Sequence, residues 1–199
     1  MADKRPYRMR KRSESQAETR QRIVEATMHL HEEIGPRATT ISAIAERAGV
    51  QRLTVYRHFP DETAIFQACT THWLSLHPPP DPQAWQGIDD ADARVRAALA
   101  AFHGYYRATA RMWSMSHRDE ASVPALQQPM EQFRGYLAAV VDDLLAHLAP
   151  ARGNRRALSA TLRHALAFTT WESLQAGGLR RDEAVALVAR WIACTAATD

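Results

Sequence analysis

The chain has few cysteines and few glycines. Its 199 residues include two cysteines and eight glycines, and Cys69 and Cys194 form no metal or redox motif. We interpret both as small hydrophobic side chains in a reducing compartment. No apolar run approaches the ~18 residues of a membrane-spanning helix, and the amino terminus lacks the apolar segment of a secretory signal. These absences predict a cytoplasmic protein that does not bind membranes.

Signatures of catalysis are also missing. The sequence has no Gly-x-Ser-x-Gly nucleophile elbow, phosphate-binding loop, dinucleotide-binding glycine pattern or Cys-x-x-Cys pair. No Glu is followed three residues later by His, which excludes the metal pair common in helical-bundle enzymes. His103 and His117 are the most plausible metal partners across two helices, but single histidines on helices are more often structural. We therefore predict no enzyme activity, no cofactor and no bound metal.

Charge is nearly balanced overall but unevenly placed. The net charge is +3, and residues 1–72 hold 12 Lys and Arg against 9 Asp and Glu, so the whole excess lies there. Residues 1–12 contain six of these basic side chains and one acid. This composition predicts a disordered arm, and its basic side chains suit the backbone or a minor groove of a nucleic acid. The alternative is a solvated tail that aids solubility.

Residues 39–60 have the pattern of two short helices joined by a turn. Thr40 precedes the first helix and can cap it, Gly49 can end it in a left-handed conformation, and Pro60 ends the second helix. Two short helices joined by a glycine-containing turn form a helix-turn-helix. The apolar face of the first helix comprises Ile41, Ile44, Ala45 and Ala48.

The second helix has an inner and an outer side. At ~100° per residue, Val55 and Phe59 fall on the inner side. The outer residues combine guanidinium, hydroxyl, imidazole and apolar groups that suit base edges and phosphates in a major groove. The alternative is a helical hairpin with a solvated face. The outward set comprises Arg52, Leu53, Thr54, Tyr56, Arg57 and His58.

This segment resembles the DNA-binding motif of the TetR (tetracycline-repressor-like) family. Upstream, Thr19, Arg20, Ile23 and Ala26 match the first helix of that family. Two positions depart from the pattern: Gln51 replaces the usual Ser at the start of the second helix, and Glu62 replaces a frequent phosphate-binding Lys. The motif residues are Thr39, Thr40, Ile44, Ala45, Ala48, Gly49, Val50, Thr54, Val55, Tyr56, His58 and Phe59.

The resemblance implies a sequence-specific transcriptional regulator. It implies a repressor that a small hydrophobic ligand releases from a palindromic operator, acting as a homodimer through its last two helices. The double-stranded operator would contact Thr39, Thr40, Arg52, Leu53, Thr54, Tyr56, Arg57 and His58. Two alternatives remain: a small-molecule carrier or sensor with a degenerate DNA-binding domain, and a helical enzyme.

No segment has the pattern of a strand, so we predict an all-α fold of about nine helices. A capping-box spacing at Ser15 opens the first helix, and the prolines of residues 77–82 mark a domain boundary. Pro124 and Pro129 precede a helix that starts near Met130, and one helix covers 158–173. The predicted domains are a basic arm (1–12), a three-helix helix-turn-helix domain with its connecting helix (13–76) and a ligand-binding and dimerisation bundle (77–199).

Aromatic residues are concentrated in the carboxyl-terminal half. Pockets between bundle helices are mostly apolar with a few orienting polar groups, so these residues predict a site for a hydrophobic, ring-containing ligand. The alternative is an ordinary core, and Glu172 gives a slight preference for a cationic ligand. The predicted ligand-binding residues are Phe102, His103, Tyr106, Trp113, Phe133, Leu137, Phe168, Trp171 and Glu172.

Overall fold

The computed structural model describes residues 4–148 and 153–197, with backbone only for residues 4–12. These ranges contain ten α-helices and no strand, which confirms the all-α prediction. No described helix is long and apolar enough to cross a membrane. The helices are α1 (Lys4–Glu33), α2 (Ile41–Ala48), α3 (Arg52–His58), α4 (Glu62–Leu76), α5 (Gln83–Gln86), α6 (Ala91–Asp119), α7 (Pro124–Leu148), α8 (Arg155–Ala165), α9 (Phe168–Ala176) and α10 (Arg181–Ala196).

The chain forms two compact units. The first unit contains residues up to Leu76 together with Ser114–Gln127, and the second contains His77–Trp113 and the chain from Gln128 onward. Helices α6 and α7 therefore contribute residues to both units. The first unit includes the end of α6 and the start of α7 in addition to the segment predicted as the DNA-binding domain.

The core of the first unit is built from α1 to α4. Ile23 of α1 and Val55 of α3 are fully buried, and Phe59 is 1% exposed. Burying each large apolar side chain contributes roughly 1.5–3 kcal/mol, so these contacts fix the two short helices against α1. The buried cluster also contains Val24, Ala26, Leu30, Ile41, Ile44, Ala45, Ala48 and Ile65.

Helix α1 is longer than predicted. It begins at Lys4 and runs for 30 residues, so residues 4–12 are helical rather than a disordered arm, while residues 1–3 lie outside the described residues. Ser15 lies inside the helix, where its carbonyl accepts a hydrogen bond from the Thr19 hydroxyl (2.9 Å), and the predicted capping box is wrong. Once packing has formed the later turns of a helix, each further residue at its end adds one backbone hydrogen bond. The helix can therefore continue through polar sequence.

The prolines of α7 do not delay its start. The helix begins at Pro124 and contains Pro129, so the predicted start near Met130 is wrong. Proline is tolerated at the first helical position because the first backbone N–H groups of a helix have no intrahelical partner. Pro129 lies beyond that first turn and removes one hydrogen bond from the helix.

The predicted helix over 158–173 is two helices. Helix α8 ends at Ala165 and α9 begins at Phe168. The Tyr106 hydroxyl donates a hydrogen bond to the Leu166 carbonyl (2.8 Å), and the Thr170 hydroxyl donates to the His164 carbonyl (2.6 Å). Side chains thus satisfy the carbonyls that a helix end leaves unpaired. Helix α5, which follows the prolines and buries Trp85, was also not predicted.

Candidate DNA-binding surface and aromatic cluster

Local hydrogen bonds form the helix-turn-helix as the sequence predicts. The Thr40 side chain accepts a hydrogen bond from the Ala43 N–H (3.2 Å) and caps α2. Gly49 adopts a left-handed conformation (φ 65°, ψ 41°) at the end of α2, and the Val50 N–H donates to the Ala45 carbonyl (2.9 Å). Gln51 provides no side-chain cap for α3. The turn therefore depends on Gly49, because its φ is strained for other residues.

Helix α3 presents a mixed apolar and cationic surface. Leu53 is 60% exposed and Tyr56 is 43% exposed, with Arg52 and Arg57 exposed beside them. Thr54 and His58 are half-buried. Arginine forks pair with guanine edges and apolar tips contact thymine methyl groups, so this surface has the chemistry of direct base recognition.

The two predicted threonines already make hydrogen bonds within the protein. The Thr39 hydroxyl donates to the Gly35 carbonyl (2.8 Å), so it has no hydrogen left to donate to a phosphate. The exposed Thr40 accepts from the Ala43 N–H, so its O–H can still donate. Thr40 is therefore the better candidate for a contact with the DNA backbone. Thr39 instead stabilises the loop before α2 through its hydrogen bond to Gly35.

Three arginines connect α1 to the elements that present α3. Arg47 of α2 forms two hydrogen bonds of 2.6 Å with the Glu33 carboxylate. Arg22 donates to the Ala48 carbonyl (3.2 Å) at the end of α2, where a cation also interacts favourably with the helix dipole. The Arg20 guanidinium lies 4.6 Å from the centre of the Phe59 ring. These contacts hold α2 and the end of α3 against α1.

The last turn of α6 contacts the loop that precedes α2, a feature that the sequence did not predict. The Asp119 carboxylate, only 3% exposed, accepts hydrogen bonds from the Arg37 backbone N–H (3.0 Å) and from Arg118 (2.8 and 3.0 Å). Arg118 also donates to the Ile34 carbonyl (2.8 Å). We call Arg118, Asp119 and their contacts with residues 34–37 the α6 clasp. The hydrogen bond from Arg118 lowers the pKa of the Asp119 carboxyl, supported by the Arg37 N–H.

The second unit brings most of the predicted ligand-binding residues into one aromatic cluster. Trp113 and Phe133 have ring centres 4.3 Å apart, and Tyr106 lies 5.5 Å from Phe168. Phe168 lies 5.5 Å from Trp171. The aromatic cluster, as named here, comprises Phe102, Tyr105, Tyr106, Trp113, Phe133, Tyr136, Phe168 and Trp171.

The three remaining predicted ligand-binding residues, His103, Leu137 and Glu172, differ in how deeply they are buried. His103 is 2% exposed, and neither of its ring nitrogens has a hydrogen-bond partner among the described residues. Burial, helped by the positive charge of Arg181, lowers the pKa of His103 to about 4, so the ring is neutral near pH 7. Leu137 is half-buried on α7, whereas Glu172 is exposed and has no described contact with the cluster.

The suggested histidine pair does not form across two helices. His103 and His117 both lie on α6, and at 1.5 Å per residue they are separated by about 21 Å along the helix axis. No group of three or more His, Cys, Asp or Glu residues in the described parts of the chain is arranged to hold a metal ion.

Helices α8 and α10 pack together at the end of the chain. Leu158 and Leu162 of α8 are fully buried, as is Val188 of α10. The other side of α10 is less covered: Leu187 and Trp191 are half-buried. Both residues lie on one of the last two helices, through which the family resemblance implies a homodimer.

Comparisons with known proteins agree with this geometry. The family model for bacterial regulatory proteins of the tetR family matches residues 23–69, which include α2 and α3. Two curated relatives from Pseudomonas putida are each 34% identical over 100 residues and 47% of this chain. The transcriptional regulator SrpR is matched over 44% of its length. The uncharacterised regulator TtgW is matched over 70% of its length.

Solved structures extend the likeness over most of the chain. A TetR-like transcriptional regulator from Rhodococcus sp. RHA1 has a TM-score of 0.61 at 19% identity, covering 86% of this chain and 91% of that one. RolR, solved in complex with resorcinol, has a TM-score of 0.51 at 17% identity, covering 94% and 91%. At these identities the structures support the fold alone, whereas the match to TtgW covers more than two thirds of that relative. This chain therefore belongs to the TetR family of bacterial regulatory proteins.

Proposed function

We propose that the chain is a transcriptional repressor that a small ring-containing ligand releases from a palindromic operator. The observation that carries the proposal is the exposed outer surface of α3, where Leu53 and Tyr56 stand in solvent beside Arg52 and Arg57. Large exposed apolar side chains rimmed by charge are typical of a binding surface. The core of the first unit holds this surface in place, because Val55 and Phe59 on the inner side of the segment are buried.

The proposed repressor is a homodimer. The half-buried Leu187 and Trp191 on α10 are apolar side chains that a two-fold symmetric contact with a second copy would cover. Two copies of α3 related by a two-fold axis recognise half-sites separated by about one helical turn of DNA or a multiple of it. A palindromic operator follows from that symmetry.

The first prediction concerns base recognition by α3. Replacing Arg57 with Ala should weaken operator binding by roughly 1–3 kcal/mol, because a bidentate contact with a base is lost. Tyr56→Ala should have an effect of similar size. Affinity for the operator and for random DNA is measured by fluorescence anisotropy at fixed salt, and the unfolding midpoint should remain close to that of the wild type because both side chains are exposed.

A matched control separates base recognition from general charge. Arg96→Ala removes an arginine of α6 whose partner is Asp92 in the second unit, and it should leave operator affinity unchanged. Equal losses on operator and random DNA in the Arg57 variant would show that Arg57 contacts the backbone only.

The ligand site that we propose is the aromatic cluster of the second unit. Stacked and tilted rings between helices favour a flat apolar ligand. On the same helix as Phe102, neutral His103 has no hydrogen-bond partner for either ring nitrogen among the described residues. One nitrogen is a donor and one an acceptor, and we propose that a hydroxyl or carbonyl of the ligand pairs with this group, which is costly to bury unpaired. Resorcinol, the ligand of RolR, is a ring of this class, and we propose the class rather than this compound.

Release from DNA requires that the ligand favour one of two conformations. A ligand shifts an equilibrium only through its different affinities for the two states. In our proposal the ligand-bound state spaces the two α3 surfaces so that they no longer fit the operator. Helix α6 carries Phe102, Tyr106 and Trp113 of the cluster and ends in the α6 clasp, so the same helix contributes to both features.

The second prediction tests the cluster through Phe133. Phe133→Ala should weaken ligand-induced release from the operator at least about tenfold, since it removes the ring that is nearest to Trp113. Phe133 is half-buried, so the fold should be retained. Ring-containing hydrophobes are screened by quenching of tryptophan fluorescence, and release is measured with labelled operator.

The control for this variant is Val140→Ala, which removes a buried apolar side chain of the same helix outside the cluster. It should lower stability but leave the ligand concentration for half release unchanged. Normal release in Phe133→Ala would place the pocket elsewhere in the bundle. Quenching without any operator-specific binding would instead favour a small-molecule carrier.

A further inference from the structure

The first unit contains a cavity whose lining residues belong neither to the outer surface of α3 nor to the aromatic cluster. Its volume is about 250 Å³, and it lies among α1, α2, α4 and the segment joining α6 to α7. Ile41 and Ile44 of α2, Phe66 of α4 and Pro124 form apolar walls. The cavity is smaller than the ~300–1,000 Å³ of sites for drug-sized ligands, so its size selects a ligand with about one ring.

The inner polar group of this cavity is a neutral histidine. His31 is 6% exposed, and burial lowers its pKa to about 4 although the charge of Asp119 acts in the opposite direction. Its Nδ1 lies 3.7 Å from the Cys69 Sγ, and its ring centre lies 5.3 Å from that of Phe66. The interior therefore combines two rings, neutral His31 and Phe66, with aliphatic walls.

The charge at the cavity comes from Glu62. Among the described residues that line the cavity, Glu62 is charged and none is Lys or Arg. The carboxylate is exposed and forms no ion pair or hydrogen bond with any described side chain. Glu62 is also the position where the family resemblance led us to expect a phosphate-binding lysine. An unpaired carboxylate beside an apolar wall complements a ligand with a cationic head and an apolar body.

We propose that this cavity binds a small organic ammonium, with the ammonium group at Glu62 and a ring-sized apolar body between α2 and α4. The site is independent of the proposed DNA-binding function. Such a ligand would contact α2, α4 and the α6–α7 segment simultaneously, all within the first unit. Binding to the folded state alone stabilises a protein, so occupancy should stabilise the first unit.

The test uses the full chain without DNA and a pair of probes of the same shape. We would titrate 2-phenylethylammonium and the neutral 2-phenylethanol by calorimetry and by thermal unfolding at pH 7. The ammonium should bind the wild type about two- to fivefold more tightly than the alcohol, the range expected for an exposed ion pair. In Glu62→Gln the two probes should bind equally.

Two further variants decide the location of the site. Glu46→Gln removes an exposed carboxylate of α2 that does not line the cavity and should keep the wild-type preference for the ammonium. Ala125→Leu places extra carbons at the cavity wall and should abolish that preference.

The proposal is overturned if Glu62→Gln or Ala125→Leu keeps the preference for the ammonium. It is also overturned if Glu46→Gln removes that preference, which would show that the surface charge of the first unit selects the ammonium and not the cavity. None of these outcomes depends on whether the chain binds an operator, so the two proposals fail separately.

Discussion

Replacing Asp119 with Asn should lower the free energy of unfolding by about 2–3 kcal/mol. The Asp119 carboxylate is 3% exposed and holds Arg118 and the Arg37 backbone N–H. An amide of the same size loses the charge-assisted hydrogen bonds to Arg118, although its oxygen can still accept from the Arg37 N–H. The Arg118 side chain is 51% exposed, so water compensates part of the loss. Chemical denaturation of both proteins measures the difference.

The pH dependence of the free energy of unfolding provides a second measure of the interaction between Asp119 and Arg118. The folded pKa of Asp119 is lowered from its ordinary value of 3.8 by Arg118 and by the Arg37 N–H. A lowered folded pKa means that the stabilisation is present above the unfolded pKa and disappears as the pH falls through the folded value. The difference between wild type and Asp119→Asn should therefore be constant above about pH 5 and shrink below about pH 4. A difference that does not change with pH would show that the charge is unimportant.

Replacing Gly35 with Ala should be more damaging, with a loss of about 3–5 kcal/mol. Gly35 has φ 90° and ψ 158°, a conformation that is essentially restricted to glycine. A Cβ there would overlap the Arg118 Nη2 and lie 2.5 Å from the Asp119 Oδ2. The Arg118 guanidinium can move, but the short Asp119 side chain cannot retreat while it holds the Arg37 N–H. The substitution therefore strains the backbone and opens the α6 clasp.

Gly135→Ala is the matched control for this prediction. Gly135 lies inside α7, and apart from its chain neighbours and the local helix backbone a Cβ there would have no atom of the described residues within 4 Å. Alanine should stabilise the helix by up to about 1 kcal/mol. If Gly35→Ala unfolds at the same denaturant concentration as the wild type, Gly35 does not pack closely against Arg118 and Asp119.

The two substitutions should not be additive. In the Asp119→Asn background the clasp is already weakened, so Gly35→Ala should cost less than it does in the wild type by about 1–2 kcal/mol, the coupling expected for residues in contact. Operator affinity should decrease in both variants, because the loop they loosen contains Thr39 and leads directly into the capped start of α2. The salt dependence of binding should stay the same, since no phosphate contact is removed.

The sequence was sufficient for the helix-turn-helix because its determinants are local. The Thr40 side chain caps α2 by accepting a hydrogen bond from the N–H three residues later, and Gly49 ends that helix. The Asp61 carboxylate accepts a hydrogen bond from the Ala64 N–H (2.8 Å) at the start of α4. Each signal acts within four residues, so it appears in the sequence as a fixed spacing. The all-α class and the inward placement of Val55 and Phe59 followed from periodicity in the same way.

The tertiary structure decided what depends on distant partners. Asp119 meets Arg37 across 82 residues of sequence, and Tyr106 meets the Leu166 carbonyl across 60. No periodic pattern encodes such pairs, because the fold alone brings the partners together. The same reason explains why the aromatic residues could be predicted as a group while the exposed position of Glu172 could not. The sequence determined that the fold is all-α and which faces of its long helices are apolar. Packing determined where helices begin and break and which polar groups meet.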